Sequence, residues 1–177
     1  MSERKQNKKI DKRAPVIVGV GDLVDRSKED GLNPQELLAK ACEHAIQDSG
    51  IKELSNHIDY VGVVRFTVDF LTATNQSNFQ YSNFPRTLAN KLNISAKNEV
   101  YAPMGGNSPQ VLLEDALVKI STGETDCALL SGGEALQTMI AKLKAGMSLD
   151  WLDEPGGSPE MIGNNDCLLY TSPSPRD

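Results

Sequence analysis

The stretch MGGNSPQVLLEDALVKISTGETDCALLSGGEA, from Met104 to Ala135, decides how this chain folds. Gly105 and Gly106 have no Cβ, so the backbone can turn sharply there or approach a neighbour closely. Asn107 or Ser108 then stands ready to cap a helix, with Pro109 in its first turn, where a missing N–H costs nothing. Val111, Leu112, Ala116, Leu117 and Ile120 recur at helical spacing, and Gly123 closes the run. After a polar link, Cys127 to Leu130 is a continuous apolar run, the mark of a buried strand, and it ends at Ser131-Gly132-Gly133-Glu134. The unit is a glycine turn, a helix, a strand and a second glycine turn.

Upstream, the same alternation repeats. Pro15 to Gly21, PVIVGVG, is β-branched and closed by glycine, and reads as a first strand. Asp22 to Arg26 follows as a loop. Arg26 there is open to two readings, contact with an anionic group or a surface ion pair with Asp22, Asp25 or Glu29. Asn33-Pro34-Gln35-Glu36 is a helix start with a capping box, and Leu37, Leu38, Ala41, Cys42, Ala45 and Ile46 form its apolar face until Ser49-Gly50. Ile58 to Phe66 reads as the second strand, Phe84 to Leu92 as a short helix, and Glu99 to Met104 as the third strand. Thr67 to Asn83 is polar, too long for a simple connection, and reads as a contact loop.

This order predicts an α/β protein, a doubly wound parallel sheet of βαβαβαβ type with helices on both faces. The helix over 107–122 is the most apolar and is expected to be the most enclosed. Ligands in such sheets bind beyond the carboxyl ends of the strands, where both glycine corners fall.

The layout resembles the thiolase superfamily, in which a nucleophilic cysteine sits where a strand turns into the central helix and a later strand ends in Gly-Gly-x-Glu. The resemblance is carried by Gly105-Gly106-Asn107-Ser108-Pro109-Gln110, by Ile120-Ser-Thr-Gly123 with Asp126, and by Gly132-Gly133-Glu134. It is similar to the acetyl-CoA acetyltransferase-like branch, where a GGN[ST]PQ segment stands at this turn. Counting back from Gly123, the family's cysteine falls at about Gly106, and glycine cannot be acylated. The resemblance therefore implies a thiolase-like N-terminal half, over residues 14 to about 166, without the nucleophile.

For function, the resemblance implies an acyl-CoA thioester as substrate, with no separate cofactor and no metal. Gly105, Gly106, Asn107, Ser108, Gly132 and Gly133 are the expected substrate-binding residues, and no catalytic residue is assigned. Two readings stay open. One is a fragment of an acyltransferase performing Claisen-type chemistry in an intact parent, whose histidine and second cysteine lie downstream. The other is a non-catalytic protein that binds acyl-CoA or a partner. A homodimer is expected for the parent. A lone half leaves an apolar helix face uncovered, so poor solubility or association is expected.

Composition narrows the rest. The hydrophobic fraction of 39% fits an ordinary soluble protein, and no run approaches the roughly 20 apolar residues of a membrane helix. Cys42, Cys127 and Cys167 lack metal-ligand spacing, and an odd number argues against a disulfide framework; a cytoplasmic setting is expected. His44 and His57 have no acid or cysteine at ligand or triad spacing. Residues 1–13 carry six cations against two acids, a local +4 that leaves −10 on the remainder. No aromatics interleave them, so a disordered leader is expected, with neither nucleic acid nor membrane as partner.

The domain reading is a leader over 1–13, an incomplete thiolase-like domain over 14–146, a proline- and glycine-rich loop region over 147–166, and a tail over 167–177. That tail, CLLYTSPSPRD, looks like translated sequencing-adapter sequence and is expected not to be native.

Overall fold

The computed structural model describes residues 11–67, 69, 81–151 and 153–163. Residues 1–10 of the expected leader, most of the Thr67–Asn83 loop and the 167–177 tail lie outside them; of the leader's last three residues, Arg13 pairs with Asp126 at 2.9 Å.

The capping box forms as the sequence requires. Asn33 Oδ1 accepts the Glu36 N–H at 2.8 Å, the Asn33 N–H donates to Glu36 Oε2 at 3.3 Å, and Pro34 occupies the first turn of α1 (Pro34–Asp48). Leu38, Ala39 and Cys42 bury its apolar face. A 3₁₀ turn over Leu54–His57 leads to β1 (Tyr60–Val64), followed by α2 (Phe84–Lys91), β2 (Asn98–Ala102), α3 (Ser108–Thr122), β3 (Ala128–Ser131), α4 (Leu136–Lys144) and β4 (Glu160–Met161).

The strands form one parallel sheet in the order β3-β1-β2-β4. Tyr60 faces Asn98 on one side and Ala128 on the other, so β1 is an interior strand, as is β2 between β1 and β4. Strand alternation splits its side chains between two cores. Val61 and Val63 join Leu38, Phe84, Leu88, Tyr101 and Trp151 beneath α1 and α2, whereas Tyr60 joins Val100, Ala102, Leu112 and Ala116 beneath α3. Helices therefore cover both faces, as the alternation predicts. Phe66, Tyr81 and Phe84 meet edge to face, with centroids 4.7–5.6 Å apart, and seal one end of the larger core.

The expected first strand is not a strand. No described residue pairs with Pro15–Gly21 in a ladder, and Val16 and Ile17 are each 77% exposed. The segment lies on α1 instead: the Val20 N–H donates to Asp48 Oδ2 at 2.9 Å, and His44 Nδ1 bonds the Asp22 carbonyl at 2.9 Å. Gly19 and Gly21 make this possible, since a Cβ at either would run into the α1 backbone at Ala45 or Ala41. Glycines that read as strand punctuation serve here as a close-packing surface.

The α3 expectation also needs correction. Ser108, Leu112, Ala116 and Lys119 face the sheet, but Leu113, Leu117 and Val118 are exposed on the opposite side. The most apolar helix is covered on one face only by the described residues.

The 147–163 stretch does more than connect. Leu149 and Trp151 are buried in the larger core. The Trp151 carbonyl accepts from Gln35 Nε2 at 3.2 Å, Asp153 accepts the Thr87 hydroxyl at 2.7 Å, and the Gly156 carbonyl accepts from Asn83 Nδ2 at 3.3 Å. These contacts deliver Glu160 to β4, where Lys119 Nζ reaches it at 2.7 Å and Asp115 at 3.3 Å. A two-residue strand gives too little periodicity to be read from sequence.

Candidate functional site

Parallel pairing brings the carboxyl ends of β1, β2 and β3 to one edge, with β1 between the other two. Beyond β2 the chain turns through Gly105-Gly106 into α3, and beyond β3 through Gly132-Gly133 into α4. The two corners thus flank the exit of β1. The Arg65 N–H donates to the Ala102 carbonyl at 2.9 Å, and a Cβ at Gly132 would rest 3.4 Å from Val64 Cβ. Glu134 closes the arrangement by accepting the Thr67 N–H at 2.7 Å.

The six expected binding residues differ in what holds them. Gly105 is crowded: its Cβ position lies 3.1 Å from Ser108 Oγ and 3.3 Å from Asn107 Oδ1. Gly106 is exposed, has no left-handed φ, and a Cβ there meets nothing within 4 Å. The fold therefore does not demand glycine at 106. Gly133 is demanded by packing, because a Cβ there would come within 2.8 Å of Leu38 Cδ1. Gly132 is in ordinary contact only. Ser108 is buried and Asn107 is exposed.

Neither Asn107 nor Ser108 caps α3 as expected. Asn107 holds the N-cap position with helical backbone angles, φ −93° and ψ −10°, and its side chain makes no capping bond. An N-cap side chain needs an extended backbone to swing over the first turn, as Asn33 has at φ −72° and ψ 165°. Here the Ser108 N–H turns back to the Gly105 carbonyl at 3.1 Å and the Gln110 N–H to the Asn107 carbonyl at 3.0 Å. The N–H groups of Gly106 and Asn107 donate to no described residue. They stand at the amino-terminal, positive end of a fifteen-residue helix.

A charged network that the sequence reading missed lies beside the mouth. Asp69 is buried, accepting the Tyr101 hydroxyl at 2.9 Å and the Tyr81 N–H at 3.1 Å, with Arg65 Nε at 3.0 Å. The Arg65 guanidinium also stacks 4.8 Å above the Tyr101 ring. Burial, then the Asp69 charge, pushes the Tyr101 hydroxyl well up, so it stays a donor. The legible signal was the opposite-charge pair four residues apart immediately after an apolar strand. On the other face, burial and the bond to Asp115 raise Tyr60 likewise.

Among the described residues no thiol is poised at the corner. Cys42 is buried in α1 with Ser131 as a hydrogen-bond partner, and burial pushes its pKa up. Cys127 sits at the amino end of β3, raised by burial and by Asp59. The two histidines are on the exposed side of α1 and in the 3₁₀ turn before β1, away from the strand ends. Among the described residues no group of three or more His, Cys, Asp or Glu is gathered to hold a metal, and no helix is long and apolar enough to cross a membrane.

The architecture has a counterpart of known structure. The chain superposes on a monomeric SCP2-thiolase-like protein type 1 from Mycobacterium smegmatis with a TM-score of 0.55 and 31% sequence identity, over 71% of this chain. The fold is thiolase-like. The matched region spans 24% of the Mycobacterium chain, so this thiolase-like segment corresponds to about a quarter of that protein. No family model and no curated protein matches the sequence.

Proposed function

We propose that this thiolase-like chain binds acyl-CoA thioesters at the strand-end corners, with Gly105, Gly106, Asn107, Ser108, Gly132 and Gly133 around the thioester, and that these residues position it without attacking it. The open, side-chain-free position at Gly106 supports this reading most directly. A glycine that the backbone does not need leaves room for a ligand to reach the free N–H groups of residues 106 and 107. Those donors and the α3 dipole suit a polarised thioester oxygen. Ser108 is the one nucleophile-type side chain in the 105–108 turn, and it is buried with no described base beside it.

The acyltransferase reading belongs to a longer protein. The small share of the Mycobacterium chain that is matched favours it, since Claisen-type chemistry would then draw its nucleophile and base from further polypeptide. Calorimetric titration of the 177-residue chain with acetyl-CoA tests the binding step. Saturable binding that Gly106→Glu abolishes supports it. Binding indifferent to that substitution rejects the corner as the site.

A further inference from the structure

We propose that the cleft between residues 25–29 and α4 binds a small organic phosphate through its phosphate and its apolar body together. This site is separate from the thioester corner and stands whether or not that reading holds.

The loop is preformed. Asp25 Oδ1 accepts the Ser27 N–H at 2.9 Å and Oδ2 accepts the Leu32 N–H at 2.7 Å, so one carboxylate closes the segment on itself. These bonds, the one to Leu32 foremost, hold the Asp25 pKa at about 2, and its charge is already committed to the backbone. Gly31 is buried against Thr138, where a Cβ would collide with the threonine side chain, and this contact seats the loop on α4.

Between loop and helix lies a cleft of about 590 Å³, within the range of small-molecule sites. Ile140, Ala141 and Ala145 line its apolar side, and Arg26, Lys28 and Lys144 bring three cations to it. None of the three forms an ion pair with a described residue, which leaves open the contact rather than the ion-pair reading of Arg26. Glu29 also lines the cleft and Asp25 is engaged, so an incoming ligand meets three cations against one free acid, in a chain of net charge −6. A monocarboxylate answers one of those charges. A phosphate dianion answers two and fits the planar fork of arginine, while an apolar body covers Ile140 and Ala141.

The test is calorimetric titration of the full chain with 1-naphthyl phosphate, inorganic phosphate and 1-naphthol. The expected result is one saturable site for naphthyl phosphate, at least about tenfold tighter than for either part alone, weakening as salt is raised. Arg26→Ala with Lys144→Ala weakens it by a further factor of about ten or more, and so does Ile140→Asp. Arg26 and Lys144 are exposed, so circular dichroism is expected to show the charge variant folded as the parent. Absent binding, equal affinity for inorganic phosphate, or binding that the folded charge variant retains in full each overturns the proposal.

Discussion

The Glu134 carboxylate accepts the backbone N–H of Thr67 at 2.7 Å, joining the corner after β3 to the exit of β1 across 67 residues of sequence. The acid of the Gly-Gly-x-Glu segment thus acts as a structural clasp between the two chain exits. Removing it leaves a donor without its charged acceptor. Glu134→Ala is expected to lower stability by about 1 kcal/mol, less than a buried charged bond because the site is open to water, and Glu134→Gln by less. Urea unfolding of the three proteins checks the order; equal midpoints would mean that the clasp carries no stability.

The glycines of the two corners are expected to respond differently. Gly106→Ala meets open space and restricts the unfolded chain, so it is neutral or stabilising by up to about 1 kcal/mol. Gly133→Ala presses on the end of the buried Leu38 side chain, which must shift to admit it, and costs about 1–3 kcal/mol. Thermal unfolding of both variants decides this. A Gly106→Ala variant as unstable as Gly133→Ala would mean that the corner is already filled.

Acid is expected to loosen the 25–32 loop late. The Asp25 carboxyl is depressed to about 2 in the folded chain, below an ordinary unfolded value of about 3.9. Its contribution is therefore full above roughly pH 4 and is lost as pH falls toward 2. Carbon-13 titration of the Asp25 carboxyl should show a midpoint near 2, and Asp25→Asn should flatten the acid limb of stability over that window. A midpoint close to 4 would mean that the bonds to Ser27 and Leu32 do not persist in solution.

Trp151 is the single tryptophan, and it is buried in the larger core. Its emission is expected to be blue-shifted and to change together with the far-ultraviolet dichroism on unfolding. Thr87→Val removes the hydroxyl that Asp153 accepts and is expected to lower that common midpoint. A separate, earlier fluorescence transition would show the 147–163 stretch docking independently of the sheet.

The exposed strip of α3 carries the solubility expectation. Leu113, Leu117 and Val118 share the side of α3 that the sheet does not cover. Concentration-dependent association in analytical ultracentrifugation is expected, and Leu117→Lys with Val118→Lys should reduce it without lowering the melting temperature by more than about 2–4 °C. Association that persists unchanged in the double variant would place the sticky surface elsewhere, the Val16–Val24 strip on α1 being the other exposed apolar run.

Much of the fold was legible because its signals are local. The Asn33 capping box, the 3.6-residue repeat of Leu112 and Ala116, and the β-branched run around Val61–Val64 each name one element by themselves. The misreadings all depend on a neighbour. Pro15–Gly21 has strand composition, but a strand exists only as half of a pair, and Gly19 and Gly21 commit the segment to the back of α1. Asn107 has the side chain of a cap, but the turn at Gly105 gives its backbone helical angles and withdraws that side chain from the task. The site was legible as a place, since topology puts both glycine corners at the strand ends. Its detail was not: the Arg65–Asp69–Tyr101 network joins the segment after β1 to β2, and the difference between Gly105 and Gly106 is a matter of what lies within 4 Å of a missing atom.

On the proposed reading, Gly106 faces a bound thioester it cannot attack, and installing the missing nucleophile tests this directly. Wild-type and Gly106→Cys chains are incubated with acetyl-CoA and mapped by intact mass and peptide mass spectrometry. The expected result is an unmodified wild type and a variant acetylated at the introduced thiol, its thiolate attacking the thioester carbonyl and expelling the CoA thiolate. An acetylated wild type, or a variant whose introduced cysteine reacts no faster than Cys127, would contradict it.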